Sequence, residues 1–231
     1  MVKLSIIFMV FCLANTIATP TAQIVDKRPE SVKAWFKNLP NAKEKLATLH
    51  FYFHDTVASE NPSAVTVAEA NATKYPTNFG LIRMMDNPLT VGPEIDSKII
   101  GRARGVYGGA SIEDIDLLMT LNYVFTEGEY NGSTLSVLAH NPILDEYREM
   151  AIVGGTGVFR LARGIATART TWFNMTSQDA VVEYHVMVLI SSISYRADSS
   201  AKQLKHCPIY LNEAFCSTPK SSLLSFAKSL M

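Results

Sequence analysis

Leu46-Ala47-Thr48-Leu49-His50-Phe51-Tyr52-Phe53-His54-Asp55-Thr56-Val57 alternates with a period of two, the spacing at which successive side chains point to opposite faces of a strand. Leu49, Phe51, Phe53, Asp55 and Val57 share one face; His50, Tyr52, His54 and Thr56 share the other. A sheet buries its apolar face, so the alternation carries Asp55 inward among Phe and Val side chains. A carboxylate desolvated in this way holds its proton more tightly and can serve as an acid near neutral pH. The bland alternative is that Asp55 ends the strand and caps a turn. His50 and His54, on the opposite face, read as surface or subunit-contact histidines.

Outward from this stretch the same texture repeats. Short runs rich in Val, Ile, Phe, Tyr and Thr are punctuated by Gly, Asn and Pro, which predicts strands at 46–57, 64–70, 79–86, 98–108, 117–126, 134–140, 158–171 and 179–190. Glu127-Gly128-Glu129-Tyr130-Asn131-Gly132 is a hairpin signal, because Asn-Gly accepts the positive φ angles that tight turns need. No amphipathic 3.6-residue pattern of helix length separates the runs, so crossover helices and a parallel sheet are not expected. Gly154-Gly155-Thr156-Gly157 resembles a nucleotide-binding turn, but neither a following helix nor a phosphate-binding Lys accompanies it, and it reads as a tight turn between strands. The fold class is therefore all-β.

The 231 residues suit one domain, and 48% hydrophobic with 18% charged residues is enough for a core. Basic and acidic residues balance at 21 each, which gives no general attraction for nucleic acid or an anionic membrane. Residues 1–18 read as a signal peptide, with Lys3, an apolar run at 4–13 and the small-residue site Thr16-Ile17-Ala18. Asn71, Asn131 and Asn174 each open an Asn-x-Ser/Thr glycosylation sequon. Together these features predict a secreted glycoprotein. Residues 19–45, rich in charge, Pro and Asn, read as a poorly ordered linker apart from one amphipathic turn near Trp35; residues 191–231 read as a tail. Of three cysteines, Cys12 falls in the signal; Cys207 and Cys216 lie in the tail and either pair across a small loop or stay free.

Signatures of familiar chemistry are missing. There is no Gly-x-Ser-x-Gly elbow and no His-Glu-x-x-His helix, and the five histidines show no convincing ligand spacing. Neither a metal nor an organic cofactor is expected.

Several longer stretches carry more specific information: His50–Asp55, Met85-Asp86-Asn87-Pro88-Leu89-Thr90-Val91-Gly92-Pro93, Gly101-Arg102-Ala103-Arg104-Gly105-Val106-Tyr107, Asn122-Tyr123-Val124-Phe125-Thr126-Glu127-Gly128, Arg148-Glu149-Met150, Ala162-Arg163-Gly164 and Val181-Val182-Glu183-Tyr184. Their order resembles the plant dirigent proteins across residues 46–190. The resemblance implies an eight-stranded antiparallel β-barrel of the allene-oxide-cyclase type, a homotrimer, and export to the apoplast. It implies small phenolic substrates and cooperation with a separate laccase or peroxidase, whose phenoxy radicals, from monolignols such as coniferyl alcohol, the protein would couple stereoselectively. The physical task is orientation in a dry cavity.

By the same resemblance the barrel lumen holds Asp55 and Arg148 as catalytic groups, with Tyr107, Asn141, Phe53 and Phe159 contacting substrate. Asp55 would protonate or hydrogen-bond a quinone-methide oxygen, and the Arg148 fork would anchor a phenol oxygen. Pinoresinol-forming members carry a second lumen aspartate seven residues before the arginine. Here that position is Asn141, which cannot act as an acid. This looks like the branch that includes pterocarpan-forming dehydratases, so an isoflavanol dehydratase is the alternative function, and a phenolic-binding defence or wall protein is a third.

Overall fold

The computed structural model describes residues 25–70 and 76–192. Nine strands in antiparallel pairing form one sheet: β1 (Lys43–Asp55), β2 (Ala64–Ala68), β3 (Ile82–Thr90), β4 (Ile99–Gly109), β5 (Asp116–Phe125), β6 (Thr134–Pro142), β7 (Arg148–Thr156), β8 (Arg163–Phe173) and β9 (Ala180–Ser192). Each strand from β3 to β9 pairs with its successor in sequence, as short hairpin connections dictate. The first strand pairs with the last over thirteen residues, from Lys43↔Ser192 to Asp55↔Ala180. Pairing of β1 with β3 at Tyr52↔Thr90 and Phe53↔Leu89 closes the sheet into an eight-stranded antiparallel barrel, with β2 as a short extra strand on β3.

The strand list differs from the sequence expectation at β3, which runs Ile82–Thr90 instead of 79–86, and around β7 and β8. The sequence predicts no strand at 148–156 and a tight turn at Gly154–Gly157, yet residues 148–156 form β7, and Gly154 and Gly155 continue its ladder opposite Ser136 and Leu135. The reversal comes just after Thr156, at Gly157 with φ of 68°, a region that glycine enters without steric cost. Residues 157–159 then form a 3-10 turn, so the next strand starts at Arg163, five residues after the expected 158. Glycine also sets strand contact at Gly105, where a Cβ would overlap the Thr120 carbonyl of β5.

Residues 29–38 form a helix, α1 (Pro29–Asn38), where a poorly ordered linker was expected, and β1 begins at Lys43. Pro at the first helical position, Glu30 in the first turn and Lys37 in the last suit a helix start and end. Trp35 is the buried residue of α1, and the Arg160 guanidinium lies 5.8 Å from its ring centroid. Arg160 donates to the Asp26 carbonyl and Lys27 to the Gly132 carbonyl, fastening the segment to one end of the barrel. The polar composition misled because a helix with a single anchoring aromatic carries little apolar signal.

That end is plugged. Phe159 packs at a tilt against Tyr130, centroids 4.8 Å apart, and Phe125, 5.6 Å apart, with Leu135 also fully buried. Midway along the lumen Phe51, Tyr123 and Tyr184 form a second aromatic layer, with centroids 5.0–5.8 Å apart. Edge-to-face and offset contacts of this kind add to burial rather than merely filling space. The far end of the lumen remains open.

His54 departs from the expectation of an exposed outer face. It is 1% exposed, because the chain covers that part of β1: its Nε2 lies 2.7 Å from Thr90 Oγ1, while Ser63 Oγ donates to its backbone carbonyl. Burial pushes the imidazole pKa down. His50, four residues earlier on the same face, is exposed and pairs with Glu183.

Candidate active site

The open end of the lumen is a cavity of about 440 Å³, within the usual range for small-molecule sites. Its polar groups come from strand ends that antiparallel order brings to one rim: Asp55 from the end of β1, Tyr107 from β4, Asn141 from the end of β6, Arg148 from the start of β7 and Thr170 from β8. Phe53, Leu117, Met119, Val182 and Tyr184 supply much of the apolar wall.

The cavity holds two polar clusters. In the first, the Tyr107 hydroxyl donates to Asp55 Oδ2 at 2.8 Å, and Asn87 Nδ2 donates to Oδ1 at 3.1 Å. Desolvation raises the Asp55 pKa and outweighs the two hydrogen bonds that favour the carboxylate. Desolvation also pushes the Tyr107 pKa far up, reinforced by the neighbouring Asp55 charge, so Tyr107 stays a donor. Asn87 Oδ1 is buried and accepts no hydrogen bond among the described residues. An amide flip would offer that oxygen to protonated Asp55, so the pocket can satisfy the acid form as well as the anion.

In the second cluster, Arg148 is 4% exposed. Its Nε donates to Asn141 Oδ1 at 3.1 Å, and its Nη1 donates to Thr170 Oγ1 at 2.9 Å and to the Asp145 carbonyl at 3.2 Å. Among the described residues no carboxylate comes within ion-pair distance of it, and Nη2 makes no hydrogen bond. Burial pushes the guanidinium pKa down, but an arginine remains charged throughout the working range. A buried cation without an anionic partner is costly, and the anion it lacks can be supplied by a ligand oxygen.

The expected site residues Phe53, Asp55, Tyr107, Asn141 and Arg148 thus line one cavity, and Asn141 and Arg148 touch directly. Phe159 does not join them. It belongs to the plug at the other end, because the 3-10 turn after Gly157 aims it at Tyr130 and Phe125. Sequence reasoning missed Asn87, Thr170, Tyr184 and Arg83. Asn87 and Tyr184 lie inside motifs that were noticed but given no role. Arg83 donates to Gln178 Oε1 at 2.5 Å and lies 6.0 Å from the Tyr107 centroid at the cavity mouth; nothing in its local sequence marks it. Tyr184 is held by desolvation at a pKa of about 12, hence neutral.

Of the three sequons, Asn131 is exposed on the hairpin turn, and Asn174 is half-buried with its Oδ1 accepting the Thr176 and Ser177 amides in the loop beside the cavity mouth. Asn71 lies outside the described residues, as do residues 1–18, where a signal peptide is expected, and residues 193–231 with Cys207 and Cys216.

Comparison with known proteins agrees with this geometry. The family model described as Dirigent-like protein matches residues 46–189. Pterocarpan synthase 1 of Glycyrrhiza echinata is 53% identical over 148 residues, 63% of this chain and 79% of that protein. Dirigent protein 21 of Arabidopsis thaliana is 50% identical over 146 residues, 63% of this chain and 77% of that protein. The solved structure of the pterocarpan synthase dirigent protein GePTS1 superposes with a TM-score of 0.62 at 51% identity, covering 64% of this chain and 86% of that one. With the family model spanning the barrel from β1 to β9, the chain belongs to the dirigent protein family.

Proposed function

We propose that this protein is a dirigent-type dehydratase that removes water from an isoflavanol-class phenol and guides ring closure of the resulting quinone methide. One observation carries the reading: a single cavity pairs a desolvated carboxyl, Asp55, with a buried guanidinium, Arg148, that has no carboxylate within ion-pair distance among the described residues. The similarity to two pterocarpan synthases at 53% and 51% identity supports it. Protonated Asp55 gives its proton to the benzylic hydroxyl, the C–O bond breaks and water leaves. The phenol across the ring releases its proton, and its oxygen, now a quinone-methide carbonyl, rests against the Arg148 donors. A second phenolic hydroxyl of the same substrate adds to the exposed carbon, its proton returns to Asp55, and the carbonyl oxygen regains a proton. The balance is loss of one water, with no oxidant required. Tyr107 and Asn87 orient the Asp55 carboxyl throughout.

The cavity's aromatic wall of Phe53 and Tyr184 would also suit flat phenoxy radicals made by a separate laccase or peroxidase, and coupling of coniferyl alcohol is the second reading. One experiment separates them. The purified protein is given an isoflavanol alone, and separately coniferyl alcohol with laccase, with chiral product analysis of each. Ring closure in the first assay, reduced on the order of 10²-fold or more by Asp55→Asn, is the expected result. An enantiomeric excess confined to the second assay, with no ring closure by folded protein, would overturn the dehydratase reading.

We further propose that the chain is exported to the apoplast, glycosylated at Asn131 and Asn174, and trimeric. The outer row Val65, Met84, Val106, Thr120 and Leu138, aligned across β2 to β6 by the strand register, leaves Val65, Met84 and Leu138 about half exposed. An apolar row of this kind supports subunit contact. Light scattering before and after deglycosylation of the secreted protein tests both mass and assembly.

A further inference from the structure

On the outside of the barrel, at the seam between its first and last strands, three ligand-type side chains meet. His50 on β1 lies directly opposite His185 on β9, and Glu183 is two residues back along β9 on the same face. His50 Nε2 is 2.9 Å from Glu183 Oε1, and His185 Nε2 is 3.6 Å from the same oxygen. All three ligand atoms lie within 4.8 Å of one another. The two imidazoles stack at 4.5 Å, and both side chains are exposed enough, at 44% and 60%, to turn about χ2.

We propose that His50, His185 and Glu183 form a binding site for a borderline divalent cation, of which Zn²⁺ is the test case. Donors of a tetrahedral zinc site, each about 2.0–2.2 Å from the ion, sit roughly 3.3 Å apart. The observed separations of 2.9 and 3.6 Å straddle that value. Two imidazoles and one carboxylate suit zinc or copper rather than magnesium or calcium, which take oxygen donors.

The surroundings support the carboxylate as a ligand. Arg169 donates to Oε2 through Nη2 at 2.8 Å and Nε at 3.3 Å, which fixes the carboxylate plane and leaves Oε1 turned toward the histidines. Tyr52 also donates to Oε1, at 3.1 Å. The cation takes the place of the hydrogen bond between His50 and Glu183. Beside the cluster a shallow hollow of about 260 Å³, bordered by Tyr147, Thr167 and Arg169, leaves room for water to complete the coordination.

Because His50 and His185 sit on the N-terminal and C-terminal strands of the barrel, the bound cation ties the two ends of the fold together. The site lies outside the lumen, so it is independent of the dehydratase reading.

The test is calorimetric titration of Zn²⁺ into the full, tag-free chain at neutral pH, alongside the melting temperature with and without the ion. The tail carries His206, Cys207 and Cys216, so each variant is compared with the wild type. His185→Asn, which removes an exposed ring that stacks on His50 and touches Glu183 only loosely, should lose one zinc equivalent or weaken it about tenfold or more. His50→Asn should do the same. At a hundredfold excess over Kd the ion should raise Tm by about 5–10 °C in the wild type and by much less in either variant. His140→Asn, which removes the partner of Asp116 on another part of the barrel, should leave that equivalent in place. The proposal is overturned if folded wild type takes up no zinc, if both seam variants bind as it does, or if His140→Asn alone abolishes binding.

Discussion

Replacing Asn141 by Asp would place a carboxylate where the amide oxygen now accepts Arg148 Nε at 3.1 Å. At an effective dielectric of about 20 and a charge separation of roughly 4 Å, the new pair gains about 4 kcal/mol of Coulomb attraction. Desolvating a buried carboxylate costs several kcal/mol. The two nearly cancel, so Asn141→Asp should change stability by no more than about 2 kcal/mol, readable as a small shift in urea midpoint. The functional effect should be larger, because Arg148, which meets no carboxylate among the described residues, would gain an anion beside it. A hydrogen bond from a charged group to a ligand oxygen is worth about 1.5–3 kcal/mol, and losing most of it raises KM for a phenolic substrate about 10- to 100-fold. The new carboxylate, paired with arginine, should stay ionised and supply no second acid. Steady-state kinetics of ring closure against pH test both points. An unchanged KM, or a new acidic limb in the pH profile, would refute the assignment of Arg148 as the buried cation that holds the substrate oxygen.

Three further outcomes are expected. Asp55 has a raised pKa and must be protonated to act, so kcat/KM should fall as pH rises through that pKa. The same shift gives stability that is full below the unfolded carboxyl value and is lost as pH rises through the folded one, so the wild type should lose urea midpoint over that window while Asp55→Asn does not. Phe159→Ala should cost about 3–5 kcal/mol in denaturant unfolding, since it empties the plug, and should leave KM unchanged, because Phe159 does not line the cavity. His54→Ala should destabilise by about 1–3 kcal/mol through lost burial and the lost hydrogen bond to Thr90, whose hydroxyl keeps its bond to the Gly92 carbonyl, with product stereochemistry intact; a neutral effect on stability would mean His54 is not packed as described.

Period-two alternation was enough to place Phe53 and Asp55 on the inner face of β1, because in a strand the direction of a side chain is fixed by its parity. Antiparallel order followed from short connections, and the family followed from motifs spread from β1 to β9. Parity could not say which outward residues stay exposed: His54 and His50 share a face, but the β3 end and the β1–β2 connection fold over only the first. Strand β7 was hidden because Gly154 and Gly155 look like a turn in isolation and become strand only when β6 offers them a ladder. Helix α1 was hidden because its stability comes from Trp35 docking on the barrel rather than from a repeating apolar stripe.

Local quantities were legible in the residues alone: the strand period, the Asn131-Gly132 turn, the inward parity of Asp55 and the absence of a second acid at Asn141. Which distant residues meet depends on how the strands are assembled. Closure of β1 on β9 sets His50 against His185 and Asp55 against Ala180, and the β6–β7 hairpin brings Asn141 against Arg148. The same closure sends Phe159 to the plug and Arg148 to the cavity. The reason is that register and barrel closure are fixed by the summed pairing of all eight staves, while each stretch of sequence carries only its own alternation.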